Sequence, residues 1–146
     1  MKIAVIADTH GKMPEKVLQD IAGADEIWHL GDVCERTVLD PVFALGKPLS
    51  VVQGNRDVER EWPMFLKHER GGKTFFLIHI PPTTAVVGAD FVLSGHTHVP
   101  RDEMVNGVRF LNPGTIGKPN HGAPPSYAWL TIEEKTGAVD WQLKLI

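Results

Sequence analysis

Short apolar runs recur along the chain, and each is followed by a polar or glycine-containing segment. Three runs in the first half have the length and apolar content of buried strands: residues 3–7, 26–30 and 49–52. Pro14 fits the first turn of a helix that ends near Gly23. Residues 35–45 predict a second, irregular helix that is interrupted or started at Pro41. This alternation of strands and helices predicts crossover connections and a parallel sheet.

The second half of the chain has the pattern of hairpins instead. Its strands are predicted at residues 62–68, 74–80, 91–93, 126–132 and 139–145, with a hairpin at residues 104–110. The turn residues are Gly71-Gly72, Asn106-Gly107 and Thr136-Gly137, and Asn-Gly is a strong hairpin signal. We therefore predict an α/β sandwich with mixed sheets, formed by one domain over residues 1–146.

The composition is typical of a globular protein and excludes several functional classes. Apolar residues make up 42% and charged residues 23% of the chain. A formal net charge of -3 disfavours a nucleic acid polymer as partner. No apolar run approaches the ~20 residues of a membrane helix, and the N-terminus lacks a secretory signal. With Cys34 as the single cysteine, we expect a cytoplasmic protein without a membrane partner, while a homo-oligomer stays open.

Seven side chains with metal-ligating atoms follow the apolar runs. They are Asp8, His10, Asp32, Asn55, His79, His96 and His98. Taken alone, Asp8 could instead cap the segment that follows it. Together, these nitrogen and oxygen donors suit divalent Mn, Fe, Co, Ni or Zn. Two such ions with two carboxylates would keep a positive charge, which favours an anionic substrate and lowers the pKa of a bound water.

The order of these residues resembles the five signature blocks of the calcineurin-like metallophosphoesterases. The blocks are Asp8-Thr9-His10, Gly31-Asp32, Gly54-Asn55, His79 and Gly95-His96-Thr97-His98. With the length of the chain and the segment Asn112-Pro113-Gly114-Thr115, they are similar to the small YfcE-type phosphodiesterase branch. The resemblance implies a four-layer αββα sandwich, in which two mixed β-sheets are flanked by helices.

The resemblance also implies a division of the metal ligands. The first metal ion would be held by Asp8, His10 and His98. The second would be held by Asn55, His79 and His96. Asp32 would bridge the two ions. The implied activity is hydrolysis of a small phosphoester, preferably a phosphodiester, by a hydroxide that bridges two divalent ions, with manganese as the first candidate. Catalytic contributions are assigned to Asn55, Arg56 and His96. The alternative is a non-catalytic protein-interaction scaffold on the same fold.

The sequence departs from the family pattern in three places. Arg56 stands where many members have a histidine that acts as general acid or contacts the substrate. Because arginine does not release a proton near neutral pH, we expect a preference for aryl or other activated diesters. Arg56 could instead point away and pair with Asp57 or a neighbouring acid at the surface. Ile80 follows His79 where glycine is usual, and the stretch from His79 to His96 leaves little room for the usual helix.

The remaining chemically active side chains have structural interpretations. His29 is predicted to be packed and hydrogen-bonded, His68 to lie on a strand surface, and His121 to be exposed in a loop that could approach the site. Cys34 is predicted to be a small buried hydrophobic residue, with a redox switch as the alternative. The four tryptophans suit a core or interface: Trp28, Trp62, Trp129 and Trp141.

Overall fold

Two mixed β-sheets form the centre of the protein, as the computed structural model shows for residues 1–58, 61–117 and 122–146. In chain order, the described elements are β1 (Lys2–Ile6), α1 (Glu15–Ile21), β2 (Glu26–His29), a 3₁₀ helix (Arg36–Leu39), α2 (Asp40–Phe43), β3 (Leu49–Val51), β4 (Phe65–Arg70), β5 (Lys73–Ile78), β6 (Phe91–Leu93), β7 (Arg101–Val105), β8 (Val108–Asn112), β9 (Ser126–Ile132) and β10 (Val139–Leu145). None of the helices described in these ranges is long and apolar enough to cross a membrane.

The first sheet has the strand order β10-β9-β1-β2-β3, and the second has the order β4-β5-β6-β8-β7. Strands β1, β2 and β3 are parallel, as the alternation of strands and helices predicts, whereas β9 and β10 are antiparallel additions. In the second sheet, β5, β6 and β8 are parallel and the outer strands β4 and β7 are antiparallel. Each sheet therefore has a parallel centre whose strand ends can carry a site.

The facing sides of the two sheets bury a common apolar core. Val5 and Trp28 of the first sheet belong to one cluster with Phe75, Leu93 and other residues of the second. The rings of Phe75 and Phe91 stack with centroids 4.6 Å apart. Side chains alternate between the two faces of a strand, so Ala4 and Ile6 of β1 face the opposite side of the first sheet.

The helical segments cover that opposite side. Val17 and Ile21 of α1 and Leu39 of the 3₁₀ helix pack in a second apolar cluster with Ile6 and Ile27. The irregular helix is thus confirmed as a 3₁₀ turn followed by α2. Among the described residues, no helix lies between β5 and β6, in agreement with the short stretch noted in the sequence. The α/β class with two mixed sheets is confirmed, and its helices are few.

Several strand boundaries in the second half differ from the prediction. The strand predicted at residues 74–80 is β5 (Lys73–Ile78), and the hairpin predicted at residues 104–110 extends over residues 101–112. The strand predicted from residue 62 begins at Phe65, because Trp62 packs its ring against the helical cluster. β4 then shows strict alternation of exposed and half-buried residues, which is typical of an edge strand. Both C-terminal strands have the predicted bounds.

Candidate metal centre

The seven predicted ligands lie together beyond the carboxyl ends of the parallel strands. Asp8 and His10 follow β1, Asp32 follows β2, and Asn55 follows β3. His79 directly follows β5, while His96 and His98 follow β6. The two sheets place these ends at the same side of the sandwich, where the backbone N–H of His96 donates to Asp8 Oδ2 at 3.1 Å. Ligands from both sheets therefore meet in one site, as expected for open α/β folds.

Four of the seven side chains form a tight group on one side of this site. Asp8, His10, Asp32 and His98 each offer one ligand atom within 4.8 Å of the others. The Nε2 atoms of His10 and His98 are 3.1 Å apart, and His98 Nε2 lies 3.5 Å from Asp8 Oδ1. These are the residues that the resemblance assigns to a first metal ion and to the bridge.

The other three side chains form a second group around the Asn55 amide. Asn55 Oδ1 lies 2.8 Å from His79 Nε2 and 3.1 Å from His96 Nδ1. Asp32 stands between the groups, with Oδ2 at 3.7 Å from His10 Nε2 and Oδ1 at 3.3 Å from His79 Nε2. One carboxylate therefore faces both sets of candidate ligands.

The backbone at the site is locally strained. Seven non-glycine residues among those described have positive φ, and six of them belong to the ligand loops: Asp8, His10, Asp32, Cys34, His96 and His98. Residues other than glycine rarely adopt this left-handed backbone conformation, although aspartate and histidine tolerate it better than most. Such strain concentrates at functional sites because the surrounding structure must hold it in place.

Contacts at the Nδ1 atoms orient the imidazole rings of two candidate ligands, His79 and His10. His79 Nδ1 lies 2.7 Å from the carbonyl oxygen of Leu30, so it donates its proton there and leaves Nε2 facing the site. His10 Nδ1 lies 3.3 Å from Cys34 Sγ. Cys34 is half-buried, and burial raises the pKa of its thiol to about 11. The prediction of a buried hydrophobic cysteine is therefore wrong, because the side chain supports a candidate ligand.

Asp57 joins two of the ligand loops and was not identified from the sequence. Its carboxylate accepts backbone N–H groups from Gly54 at 2.7 Å, Cys34 at 2.8 Å and Asp32 at 3.2 Å. Gly54 packs so closely that an added Cβ would lie 2.1 Å from the backbone nitrogen of Asp32. The only sequence signal was the position of Asp57, two residues beyond Asn55.

The segment that begins at Asn112 forms hydrogen bonds to the loops after β1 and β6. Asn112 Nδ2 donates to the carbonyl oxygen of Gly95 at 3.0 Å and to Thr97 Oγ1 at 3.2 Å. The Thr115 hydroxyl donates to the carbonyl oxygen of Asp8 at 3.0 Å. This segment therefore shapes the loops that carry the candidate ligands.

One buried carboxylate oxygen of the site accepts no hydrogen bond. Asp8 is fully buried, and its Oδ1 has no hydrogen-bond partner. The pKa of Asp8 is raised to about 7, with burial as the largest cause; His79 opposes this rise, and the neighbouring Asp32 carboxylate adds to it. An unpartnered buried carboxylate oxygen among imidazole nitrogens fits a divalent ion, which would supply the missing charge and contact.

The pKa values of Asp32 and His79 shift in the directions that stabilise their charged forms. Burial raises the pKa of Asp32, but the hydrogen bonds from His79 and from the Arg56 backbone outweigh it and lower the pKa. Burial lowers the pKa of His79, but Asp32 and Asp8 outweigh it and raise the pKa. A proton on His79 therefore partly replaces the charge that a metal ion would bring.

Arg56 lies beside the site, but its side chain does not pair with Asp57. The Arg56 backbone N–H donates to Asp32 Oδ1 at 2.8 Å, and the residue is exposed. Asp57 instead accepts the three backbone N–H groups, so the alternative of an Arg56–Asp57 pair is not supported by the described contacts. The alternative that Asp8 caps the segment after it is not supported, because α1 begins at Glu15 and Pro14 precedes it.

Three histidines outside the predicted ligand set have different outcomes. His29 is fully buried and hydrogen-bonded, with Nε2 at 3.2 Å from Thr9 Oγ1, so its predicted structural role is confirmed. Burial lowers the pKa of His29 to about 3. His68 lies on a strand as predicted, but it is half-buried and stacks on Trp28, so its predicted position at the surface is wrong. His121 lies outside the described residues.

Comparisons with known proteins support the resemblance. The calcineurin-like phosphoesterase superfamily domain matches residues 1–135. The chain is 31% identical to the probable metallophosphoesterase YsnB of Bacillus subtilis, over 95% of this chain and 89% of that protein. It is 30% identical to the phosphodiesterase YfcE of Escherichia coli, over 89% of this chain and 87% of that protein.

Solved structures show the same fold. The YfcE structure has a TM-score of 0.80 at 24% identity and covers 100% of each chain. Vps29 of Entamoeba histolytica, solved in complex with zinc, has a TM-score of 0.80 at 21% identity and covers 99% of each chain. The family match, the two sequence relatives and the grouped ligand residues agree, and the chain belongs to the calcineurin-like phosphoesterase superfamily.

Proposed function

We propose that the protein hydrolyses a small phosphodiester with the help of two divalent metal ions. The observation that carries this proposal is the position of Asp32, whose two carboxylate oxygens face different groups of nitrogen donors. A carboxylate in that position suits a bridge between two ions. The family uses divalent metals, and manganese is our first candidate, with Fe, Co, Ni and Zn as alternatives.

The two groups of side chains would hold one ion each. The first group is Asp8, His10 and His98, and the second is Asn55, His79 and His96, with Asp32 shared. When bound, such ions supply Lewis acidity and lower the pKa of water, so that a nucleophile is available near neutral pH. Asp8 and Asp32 would balance part of the added charge and leave the site attractive to an anionic phosphoryl group.

Three residues at the open side of the site are proposed to contact the substrate. Arg56, Asn55 and His96 are exposed, whereas Asp8 and Asp32 are buried. The Arg56 guanidinium can bind a phosphoryl oxygen through paired N–H groups. It does not release a proton near neutral pH, so we propose that aryl and other activated diesters are better substrates than monoesters of ordinary alcohols.

The wider setting remains a proposal. We place the protein in the cytoplasm as one domain over residues 1–146 that acts on a small phosphoester, with no membrane or nucleic acid polymer as partner and with homo-oligomer formation open. The alternative function is a non-catalytic interaction scaffold. The structural likeness to Vps29, a vacuolar protein sorting protein, carries the fold alone and is compatible with either function.

The Asp32→Asn variant tests the proposed metal bridge. We expect it to lose at least one bound metal ion and to lower the turnover of an aryl phosphodiester by about 100-fold or more, the scale seen when charge stabilisation is removed. Metal content would be measured by mass spectrometry and turnover with each of the five metals. The exposed Asp25→Asn change is the control and should alter neither quantity.

Two outcomes would contradict the proposal. If Asp32→Asn kept two ions and near-normal turnover, Asp32 would not be the bridge. If the wild-type protein bound metal but hydrolysed neither diesters nor monoesters, the scaffold alternative would be supported.

A further inference from the structure

A small cavity adjoins the second group of candidate ligands. Its volume is about 180 Å³, and Asn55 and His79 form the part of its wall that belongs to the metal centre. Met64, Ile78 and Ile80 contribute apolar side chains to the rest of the wall. The cavity is therefore continuous with the site where a phosphoryl group would bind.

The exposure of these apolar side chains distinguishes the cavity from the core. Met64 is 63% exposed and Ile80 is 48% exposed, although both border the same depression. Isolated apolar residues are common on protein surfaces, but several that share one concave wall beside polar groups are typical of a ligand site. Ile80 also replaces the glycine that the family resemblance predicts after His79, so this chain adds a side chain to the wall.

The described wall carries no charge that is free to bind a ligand. His79 faces the metal centre and would be occupied by a metal ion. The other ionisable residue of the described wall is Asp57, whose carboxylate already accepts backbone N–H groups from Gly54, Cys34 and Asp32. A charged substituent in the cavity would lose water without gaining an ionic partner, which is unfavourable. An uncharged apolar or aromatic group would instead bury its surface against Met64 and Ile80.

We infer that this cavity binds an apolar or aromatic ester substituent of the substrate and that Ile80 and Met64 set this specificity. The inference rests on the proposed phosphodiesterase function and adds the chemical class of the substituent. A volume of about 180 Å³ is below the roughly 300–1,000 Å³ of pockets that enclose a whole drug-sized ligand. It therefore suits one substituent, while the phosphoryl group stays at the metal centre.

The experiment compares two phosphonates that share a head group and are not hydrolysed. Phenylphosphonate and methylphosphonate would be titrated into the metal-loaded protein by calorimetry. We expect the wild type to bind phenylphosphonate about 10-fold more tightly than methylphosphonate, because the ring buries apolar surface in the cavity. In Ile80→Asp this ratio should fall to about 2 or less. The added carboxylate repels the anionic head group of both phosphonates alike, so the ratio of the two affinities is the readout.

Matched variants separate the cavity from general effects of surface charge. Met64→Asp, which changes an exposed residue on another part of the wall, should lower the ratio in the same way. Val87→Asp is the control, because Val87 is 96% exposed, lies in the same connection as Ile80 and does not line the cavity. It should keep the wild-type ratio, and thermal melting would confirm that all three variants are folded.

The outcomes distinguish the two proposals. A wild-type ratio near 1, or a ratio that Ile80→Asp and Met64→Asp leave unchanged, would overturn the cavity inference while methylphosphonate binding still supported the phosphoryl site. If the metal-loaded wild type bound neither phosphonate, the proposed function would fail and the cavity inference would fail with it.

Discussion

At the scale of single residues, the position of Asp8 suits metal binding but lowers the stability of the metal-free protein. Its carboxylate is fully buried and one oxygen has no hydrogen-bond partner, so ionisation without a metal is unfavourable. The pKa is raised by burial from the usual 3.8 to about 7. Between these pH values, the folded metal-free protein keeps a proton that the unfolded chain has released. Stability must therefore fall as the pH rises through this window.

We predict that Asp8→Asn stabilises the metal-free protein at pH 8 relative to the wild type. The contribution of the wild-type Asp8 is fully present below pH 3.8 and is lost as the pH rises through about 7, with a slope of at most about 1.4 kcal/mol per pH unit. The neutral amide has no such loss. Urea unfolding in the presence of a chelator, from pH 5 to pH 8, would measure the difference.

With metal added, the wild type should be more stable than Asp8→Asn, because the wild type gains metal-binding energy that the variant lacks. Asp20→Asn, which changes an exposed aspartate on α1, is the control and should follow the wild type at every pH. A metal-free Asp8→Asn protein whose stability falls as steeply as that of the wild type would show that Asp8 does not titrate in this window.

At the scale of elements, the loops after the strands depend on one another. The loop after β2 and the loop after β3 share the Asp57 carboxylate, and the loop after β6 contacts Asp8 through the His96 backbone. Strand ends alone would leave these backbone N–H groups without partners in a buried region. The ligand geometry therefore depends on bonds between loops as well as on the sheets that carry them.

We predict that Asp57→Asn lowers both stability and metal affinity. The amide keeps one acceptor oxygen, but its NH₂ group would face a backbone N–H that now has no acceptor. Leaving such a group unsatisfied costs about 1–3 kcal/mol of unfolding free energy. Displacement of Asp32 and Asn55 should weaken metal binding by about 10–100-fold, as for other residues that orient ligands. Denaturant unfolding and metal titration would measure the two effects.

Asp90→Asn is the matched control. Asp90 also accepts a backbone N–H, from Thr74 at 2.8 Å, but it is exposed and lies before β6, whereas His96 and His98 follow the other end of that strand. It should lose little stability and no metal affinity. Equal effects of the two variants on metal binding would refute a positioning role for Asp57.

At the scale of the whole molecule, the apolar core is separate from the candidate ligands. One buried cluster lies between the two sheets and the other between the first sheet and the helices. Both clusters consist of apolar side chains, so they do not need the seven candidate ligands to form. Small zinc domains unfold without their metal because the metal replaces a core, but this chain has a core of its own.

We predict that chelation abolishes hydrolysis and leaves the sheets intact. The melting temperature should fall, because metal binds the native state and stabilises it by about 2.7 kcal/mol at 100 times the dissociation constant. Far-ultraviolet circular dichroism and a thermal melt, before and after chelation and again after metal is restored, would test this. Loss of the sheet signal on chelation would show that the core depends on the metal, and unchanged turnover would exclude a metal mechanism.

The sequence by itself determined the strands, the helix after Pro14 and the identity of the seven candidate ligands. Apolar runs have a periodicity that reflects burial directly, and the ligand-type side chains follow those runs at their ends. The closing hairpin was predicted with its final bounds for the same reason. His29 was also interpreted correctly, because a histidine within an apolar run needs a buried hydrogen bond.

Only the tertiary structure decided which partners these side chains meet. Asp57 accepts N–H groups from residues up to 25 positions away, and Cys34 reaches His10 across 24 positions. His68 is half-buried because it stacks on Trp28 of the other sheet. The cavity beside Asn55 and His79 is formed by Met64 and Ile80, which lie on either side of a hairpin. Local patterns report which face of an element is buried, whereas contacts between distant elements depend on how the two sheets pack.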